Sequence, residues 1–313
     1  MRWLSQIRRH AVQGWTAPPG AVVEGPLLDS AFLQRLEHLS LRVGRASTSG
    51  FAGEHASRRK AHSVEFADYR DYRPGDDFRL IDWNVYARLG ELTLRLTEAT
   101  EAATLHLLLD CSGSMAWGLP SKFRTLQRLA AALGCIALTR YDNVSIGLLR
   151  GEDAQNLPRL RGKNEIARFL AVLNGLQAAG ELDLPAAVGS YCRMPRRGVG
   201  VLISDLLAPS GTAQAVSYLR RAGLTPTVVQ VLAREEGEPR LEGPLDLVDC
   251  ETGAVLTTAI SGEMLHAYAD RFTRWTVELQ EACAAQRAGF VRLYSDQPLE
   301  DVLFGVLRGQ VVR

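Results

Sequence analysis

Leu105-His106-Leu107-Leu108-Leu109-Asp110-Cys111-Ser112-Gly113-Ser114-Met115 is the stretch that decides the fold. A short apolar run ends on a carboxylate and a small polar loop. Ser121 then offers an N-cap to an apolar segment, Lys122 to Arg140. An apolar run this short and continuous reads as a strand buried on both faces. Strand, loop and helix in that order open a parallel α/β unit. The texture repeats downstream. Val144–Leu149, Val199–Ile203, Thr225–Val231 and Phe290–Tyr294 have strand character, and Gln155–Leu160 reads as a short return strand. Helices are expected at 164–176, 184–192, 211–222 and 262–287. Leu245–Val248 and Val255–Thr258 flank Glu251-Thr252-Gly253 as a hairpin, and Pro298 opens a final helix. The expectation is one doubly wound α/β domain with a mainly parallel sheet, in which the strands at 105–109, 199–203, 225–231 and 290–294 run parallel.

Upstream the chain changes character. Residues 1–26 are loop-like, and 28–43 carry Leu28, Phe32, Leu33, Leu36, Leu39 and Val43 near helical spacing behind Asp29 or Ser30. Residues 44–63 are small and polar around Arg58-Arg59-Lys60. Between Arg70 and Asp82 seven of thirteen residues are charged, with signs intermixed, and Leu92, Leu94 and Leu96 then alternate at strand period. Intermixed charges pair among themselves, so this segment reads as a network clamping an N-terminal extension onto the main domain around Trp83. The alternative is a docking surface. The division expected is 1–100 for the extension and 101–313 for the α/β domain.

Composition narrows the function. The chain has 313 residues, 36 Lys and Arg against 35 Asp and Glu, which argues against a globally basic nucleic-acid binder. Arg58-Arg59-Lys60 and Arg196-Arg197 read as short solvated patches, so no nucleic-acid partner is expected. Five cysteines without a Cys-x-x-Cys read as reduced thiols of a cytoplasmic chain. The N-terminus has arginines on both flanks and no apolar core, unlike a signal peptide. The longest clean apolar run, Leu129–Thr139, is far short of the ~20 residues a membrane span needs.

In doubly wound sheets ligands sit at the carboxyl ends of the strands. There Asp110-x-Ser112-x-Ser114 offers hard oxygens that suit Mg2+ or Mn2+, and Ser204-Asp205 brings a second carboxylate to the same edge. Asp110, Ser112, Ser114 and Asp205 are therefore the candidate metal ligands. Rival motifs fail on spacing. Gly118 is followed by Leu119-Pro120 and not by the Lys-Ser/Thr of a phosphate loop. Trp117 stands where a cysteine phosphatase loop wants arginine, and no Gly-x-Ser-x-Gly surrounds Ser112. Met115 and Trp117, directly after the oxygen ligands, read as partner anchors, the alternative being that both tuck under the first helix. His106, inside the strand, reads as a satisfied core histidine, and none of the six histidines has ligand spacing.

Two motifs resemble known families. Asp110-x-Ser112-x-Ser114-Met115 is similar to the metal-ion-dependent adhesion site of von Willebrand factor A (vWA) domains. The upstream string closely resembles the signature of the domain of unknown function 58 family: Glu65-Phe66, Arg70-x-Tyr72-x-Pro74-Gly75-Asp76-Asp77-x-Arg79-x-Ile81-Asp82-Trp83 and Ala87-Arg88. The resemblance covers 60–313. It implies a vWA-like doubly wound fold with an N-terminal extension packed on it, and a MoxR-type AAA+ ATPase as partner. There is one departure. The threonine that vWA metal sites take from a later loop corresponds to Leu182 in Gly180-Glu181-Leu182-Asp183-Leu184. Leucine cannot ligate, which leaves Glu181 or Asp183 as substitutes. The function expected is that of a non-enzymatic, chaperone-like adaptor acting with the ATPase on a client complex. Two rivals stand beside it: a metal-dependent hydrolase using Asp76, Asp77 or Asp82, and a nucleic-acid-binding module.

Overall fold

The computed structural model describes residues 7–8, 25–36, 39, 64–73, 76, 78, 81–99, 103–207, 211–307 and 311. The strand at its centre is β4 (Thr104–Asp110), buried from Leu105 onward. The chain falls into two compact units, Met1–Arg45 with Ala103–Arg313, and Ala46–Ala102.

In the larger unit β4 pairs in parallel with β5 (Asn143–Arg150) on one side and β8 (Gly198–Ser204) on the other. β9 (Leu224–Leu232) and β12 (Gly289–Tyr294) extend the β8 side in parallel. Beyond β5 the chain turns back in the antiparallel β6 (Asp153–Asn156) and β7 (Leu160–Arg161). The sheet order is β12-β9-β8-β4-β5-β6 with β7 also on β5. The four strands expected to be parallel are parallel. The chain winds outward from β4 through β5 and then crosses back to β8, β9 and β12. This is a doubly wound sheet, and its order reverses between β4 and β8. A crevice opens at such a reversal, outside the carboxyl ends of the two strands.

Alternate residues of β4 enter opposite layers, as the strand period requires. Leu105, Leu107 and Leu109 pack with α3 (Lys122–Thr139) and α4 (Ile166–Asn174). Leu108 packs with α5 (Leu184–Tyr191), α6 (Thr212–Arg221) and α8 (Gly262–Ala285). Covered on both faces, the strands need no polar alternation. α3 starts as expected, with Ser121 Oγ accepting from Arg124 N at 3.1 Å. It is buried almost all round, as an interior helix is. Gly134 permits that: a Cβ there would lie 2.1 Å from Cζ of Phe169 on α4. His106 is the expected core histidine, its ring nitrogens meeting Tyr191 Oη at 2.8 Å and Arg197 O at 3.2 Å.

The hairpin expected around Glu251-Thr252-Gly253 forms from β10 (Gly243–Val248) and β11 (Val255–Ile260), and β1 (Ile7–Arg8) joins β10. These three strands make a separate sheet. The short helix α7 (Arg234–Gly237) precedes β10.

Two expectations need correction. The boundary at 100 and 101 divides the chain in the wrong place. α1 (Ser30–Leu36) belongs to the larger unit, because Leu27, Leu28, Phe32 and Leu36 sit in the same core as Leu303, Leu307 and Val311. Asp29 caps it, accepting from Phe32 N at 2.6 Å, but the helix ends at Leu36 and not at 43. The final helix opens directly after Pro298, as expected: Leu299 and Glu300 are helical, Val302 N donates to Pro298 O at 3.3 Å, and the helix widens over Asp301–Val306.

The smaller unit holds an antiparallel ribbon, β2 (Val64–Asp71) against β3 (Thr93–Ala99), and α2 (Trp83–Leu89). Trp83 is not the centre of a buried charge network: it is 59% exposed at the first turn of α2 and meets Tyr86 edge-on, ring centroids 6.1 Å apart. The backbones of Glu65, Phe66 and Arg70 lie in β2, Tyr72 is half-buried just after it, and Arg88 is exposed on α2. Gly75, Asp77, Arg79 and the basic triplet 58–60 lie outside the described residues. Among the described residues no helix is long and apolar enough to cross a membrane.

Candidate functional site

Parallel pairing of β4 and β8 brings Asp110 and Asp205 to the same end of the sheet. Asp110 closes β4, and its carboxylate organises the loop that follows. Oδ1 accepts from Ser112 N at 2.9 Å and Ser112 Oγ at 2.6 Å, while Ser112 and Ser114 hydroxyls stand 3.0 Å apart. Oδ2 accepts from Ser204 Oγ at 2.6 Å, which ties the two strand ends together. Burial, and then the charge of Asp205, push the Asp110 carboxyl up to about 6, against the pull of its serine hydrogen bonds.

The β8 end is a strained turn. Leu206 adopts φ +57°, a conformation side chains with a Cβ disfavour. Its N–H donates to Ser204 Oγ at 3.0 Å, and Leu207 N to Asp205 Oδ1 at 3.1 Å, which fixes the turn. The second oxygen of Asp205 belongs to Lys122. The Lys122 ammonium is fully buried and donates to Asp205 Oδ2 at 2.7 Å and Glu236 Oε1 at 2.5 Å. Burial opposes its charge, but the two carboxylates outweigh it and raise the ammonium above its usual range. Glu236 is held in turn by Ala233 N at 2.8 Å, and burial raises its carboxyl.

A cavity of about 20 Å3 lies against this cluster. Asp110, Ser112, Ser114, Ser204, Asp205 and Leu182 line it, with Asp249, Cys250 and Glu251 from the β10–β11 turn. It has room for about one water or bare ion. Asp110, Ser112 and Ser114 are a hard-oxygen set that fits Mg2+ or Mn2+ at such a spot, and the raised Asp110 carboxyl marks a charge that a cation would relieve. Asp205, like Asp110, has both oxygens in hydrogen bonds, but one of its partners is the buried Lys122 ammonium, whose positive charge opposes a cation there. Leu182 lines the wall where the threonine was expected. Neither proposed substitute replaces it: Asp183 caps α5 through Ala186 N at 3.0 Å, and Glu181 is exposed and outside the lining. Among the described residues no group of three or more His, Cys, Asp or Glu side chains is arranged as a metal cage.

Met115 and Trp117 are not surface anchors. Met115 is 0% and Trp117 8% exposed, and Met115 joins the core cluster with α3. The loop after Ser114 folds back so that Met115 and Trp117 point inward, while Leu119 is exposed. Cys111, beside the site, is buried and its thiol is pushed up to about 11, which makes it unreactive. Asp76 and Asp82 have local structural roles. Asp76 accepts from Arg73 N at 2.8 Å, and Asp82 caps α2 through Asn84 N and Val85 N. Arg196 is not a free basic patch: it lies 3.8 Å over the Tyr191 ring and binds Tyr191 O.

Lys122 and Glu236 escaped sequence reasoning. One signal was present: a lysine at the first position of a helix opposes the helix dipole and wants a nearby anion. Glu236 and the 249–251 turn gave none.

Residues 68–278 match the family described as "Protein of unknown function DUF58". The uncharacterized proteins Rv1480 of Mycobacterium tuberculosis and Mb1516 of Mycobacterium bovis are each 28% identical over 285 residues, covering 88% of this chain and 84% of theirs. Among solved structures, the conserved hypothetical protein BatB from Bacteroides thetaiotaomicron matches 64% of this chain and 95% of its own at 17% identity, TM-score 0.41. The SpRpn10 VWA domain matches 65% and 94% at 10% identity, TM-score 0.39.

Proposed function

The chain belongs to the family described as protein of unknown function DUF58, and from that premise we propose that it is a non-enzymatic interaction protein whose β4–β8 edge receives an acidic group of a protein partner. The partner, on this reading, is a MoxR-type AAA+ ATPase, as the motif resemblance implies, and the pair acts in the cytoplasm on assembly or activation of a client complex. Asp110, Ser112 and Ser114 would hold Mg2+ or Mn2+, which supplies a positive charge for the partner's carboxylate. Asp205, fixed by Lys122, keeps Asp110 anionic company and sets the local charge.

One observation carries the reading: the strand-end cavity gathers the Asp110, Ser112, Ser114, Ser204 and Asp205 oxygens against a wall of leucines (Leu182, Leu184, Leu206 and Leu207), and at about 20 Å3 it has room for an ion or a water. As it stands the site holds no reactant, and it can recognise an outside group only when whatever covers it moves aside. Of the carboxylates of the hydrolase alternative, Asp76 accepts from Arg73 N and Asp82 caps α2, while Asp77 lies outside the described residues.

The test is co-expression of the chain with a MoxR-type ATPase of the same genome, with capture compared for wild type and Asp110→Ala. Loss of about ten-fold or more in capture, with the fold intact, supports the proposal. Equal capture refutes it. Calorimetric titration with Mg2+ alone should show weak binding in the wild type because Leu182 gives no oxygen; submicromolar affinity would show that the leucine is compensated.

A further inference from the structure

We propose that the turn Asp249–Ala254 is a built-in occupant of this edge, holding Glu251 where a partner's carboxylate would go, so that a partner must displace the turn to bind. The inference rests on the binding function proposed above and assigns its regulation.

The starting point is accessibility. Asp110, Ser112, Ser114 and Asp205 retain 2, 1, 8 and 3% of their surface. A partner side chain cannot touch groups this deeply buried, and the cavity beside them is too small for a carboxyl group with its stem. Something on the chain itself closes the edge. Cys250 and Glu251 form part of the cavity wall. Their contact with the Asp110 loop is close: a Cβ on Gly113 would stand 3.3 Å from Cys250 O and 3.7 Å from Glu251 Cγ. The covering turn thus lies on the middle of Asp110-x-Ser112-x-Ser114. Glu251 is also of the chemical class that the edge is proposed to receive.

The covering element is separable from the sheet it covers. β10 and β11 pair with each other and with β1, not with the main sheet. The turn is closed by its own bonds. Asp249 Oδ1 accepts from Glu251 N at 2.8 Å and Thr252 N at 3.3 Å. Asp249 N donates to Ala254 O, Gly253 N donates to Asp249 O, and Gly253 takes φ +73°, which its missing Cβ allows. A turn bonded within itself can swing as a unit without breaking any main-sheet pairing.

The experiment reads exposure of the site directly, in the full chain. Ser114→Cys places a thiol in the cavity, and its alkylation by iodoacetamide is followed by peptide mapping. The native turn is compared with a variant in which residues 249–254 are replaced by Asn-Gly, which preserves the Val248–Val255 pairing. Alkylation at 114 should be faster by about ten-fold or more in the shortened variant, since local opening governs access. Cys111 and Cys135, both in the core, should stay unreactive in both and so report an intact fold. Asp249→Ala, which frees two turn amides, should give an intermediate rate. If Ser114→Cys does not fold, Leu182→Cys on the same cavity serves in its place. Equal rates with either turn overturn the proposal. Capture of the ATPase separates the two readings: faster alkylation with unchanged capture upholds the covering turn and refutes the partner edge.

Discussion

Replacing Lys122 by methionine should be among the most destabilising single changes in this protein. Methionine keeps an unbranched stem of similar length in a site with no solvent, so the loss is one of charge and not of volume. Two short ionic hydrogen bonds disappear, at 2.7 and 2.5 Å, and the Asp205 and Glu236 carboxylates are left buried together near Asp110. Stranding buried charge by removing its partner costs about 3–5 kcal/mol. With a urea slope of roughly 3 kcal/mol per molar, the midpoint should fall by about 1–2 M at pH 7. Urea titration followed by fluorescence of the buried Trp117 measures it. Acidification should shrink the deficit. Burial already raises the Glu236 carboxyl, and without the ammonium that held it charged it takes up a proton more readily as pH falls. The combination Lys122→Met, Asp205→Asn and Glu236→Gln should recover most of the loss, because no net charge is then stranded. A loss below about 1 kcal/mol at pH 7, or a deficit independent of pH, would refute this account of the cluster.

His106 gives a pH dependence of the opposite kind. Burial lowers its imidazole from 6.5 to about 4, so between those values the unfolded chain binds a proton that the folded chain does not. Stability from this group is complete above pH 6.5 and falls by about 3 kcal/mol as pH drops toward 4. His106→Gln should flatten that slope in denaturation curves between pH 7 and 4, and an unchanged slope would exclude His106 as its source. Met115→Ala should cost about 2–5 kcal/mol by leaving a core cavity; a loss of capture with unchanged thermal stability would instead restore Met115 as a surface anchor. Gly134→Ala should cost about 1–3 kcal/mol, since the new methyl meets the Phe169 ring, and pairing it with Phe169→Leu should recover part of that in thermal melts.

The larger unit was legible because its strands are buried on both faces. Such strands are short apolar runs, and runs like Val199–Ile203 leave little choice of assignment. The ribbon of the smaller unit was half legible. β3 shows through Leu92, Leu94 and Leu96, but in β2 the register shifts between Phe66 and Asp68. A bulge breaks the period of two on which strand reading depends. At the site, Asp110 and Asp205 were readable because each ends an apolar strand. What surrounds them was not, for a general reason. Lys122 meets Glu236 from 114 residues away, and the turn at 249–254 reaches the Asp110 loop from an inserted hairpin. Partners so distant leave no spacing to read. Trp117 shows the converse: next to a site in sequence, it faces the core in space.

The pairing of α1 with the last helical turns sets an order of events during synthesis. Phe32 and Leu36 share a core with Leu303 and Leu307, and the Arg35 guanidinium reaches Glu300. At roughly 5–20 residues per second, the ribosome needs about 13–53 s to pass from one end of that ion pair to the other. For all that time the apolar face of α1 lacks its final cover, while the strands and helices between emerge in turn. A nascent chain stalled before Glu300 therefore presents α1 without its final cover to whatever chaperone waits at the tunnel exit, and that helix can be sealed only once Glu300, Leu303 and Leu307 have left the tunnel.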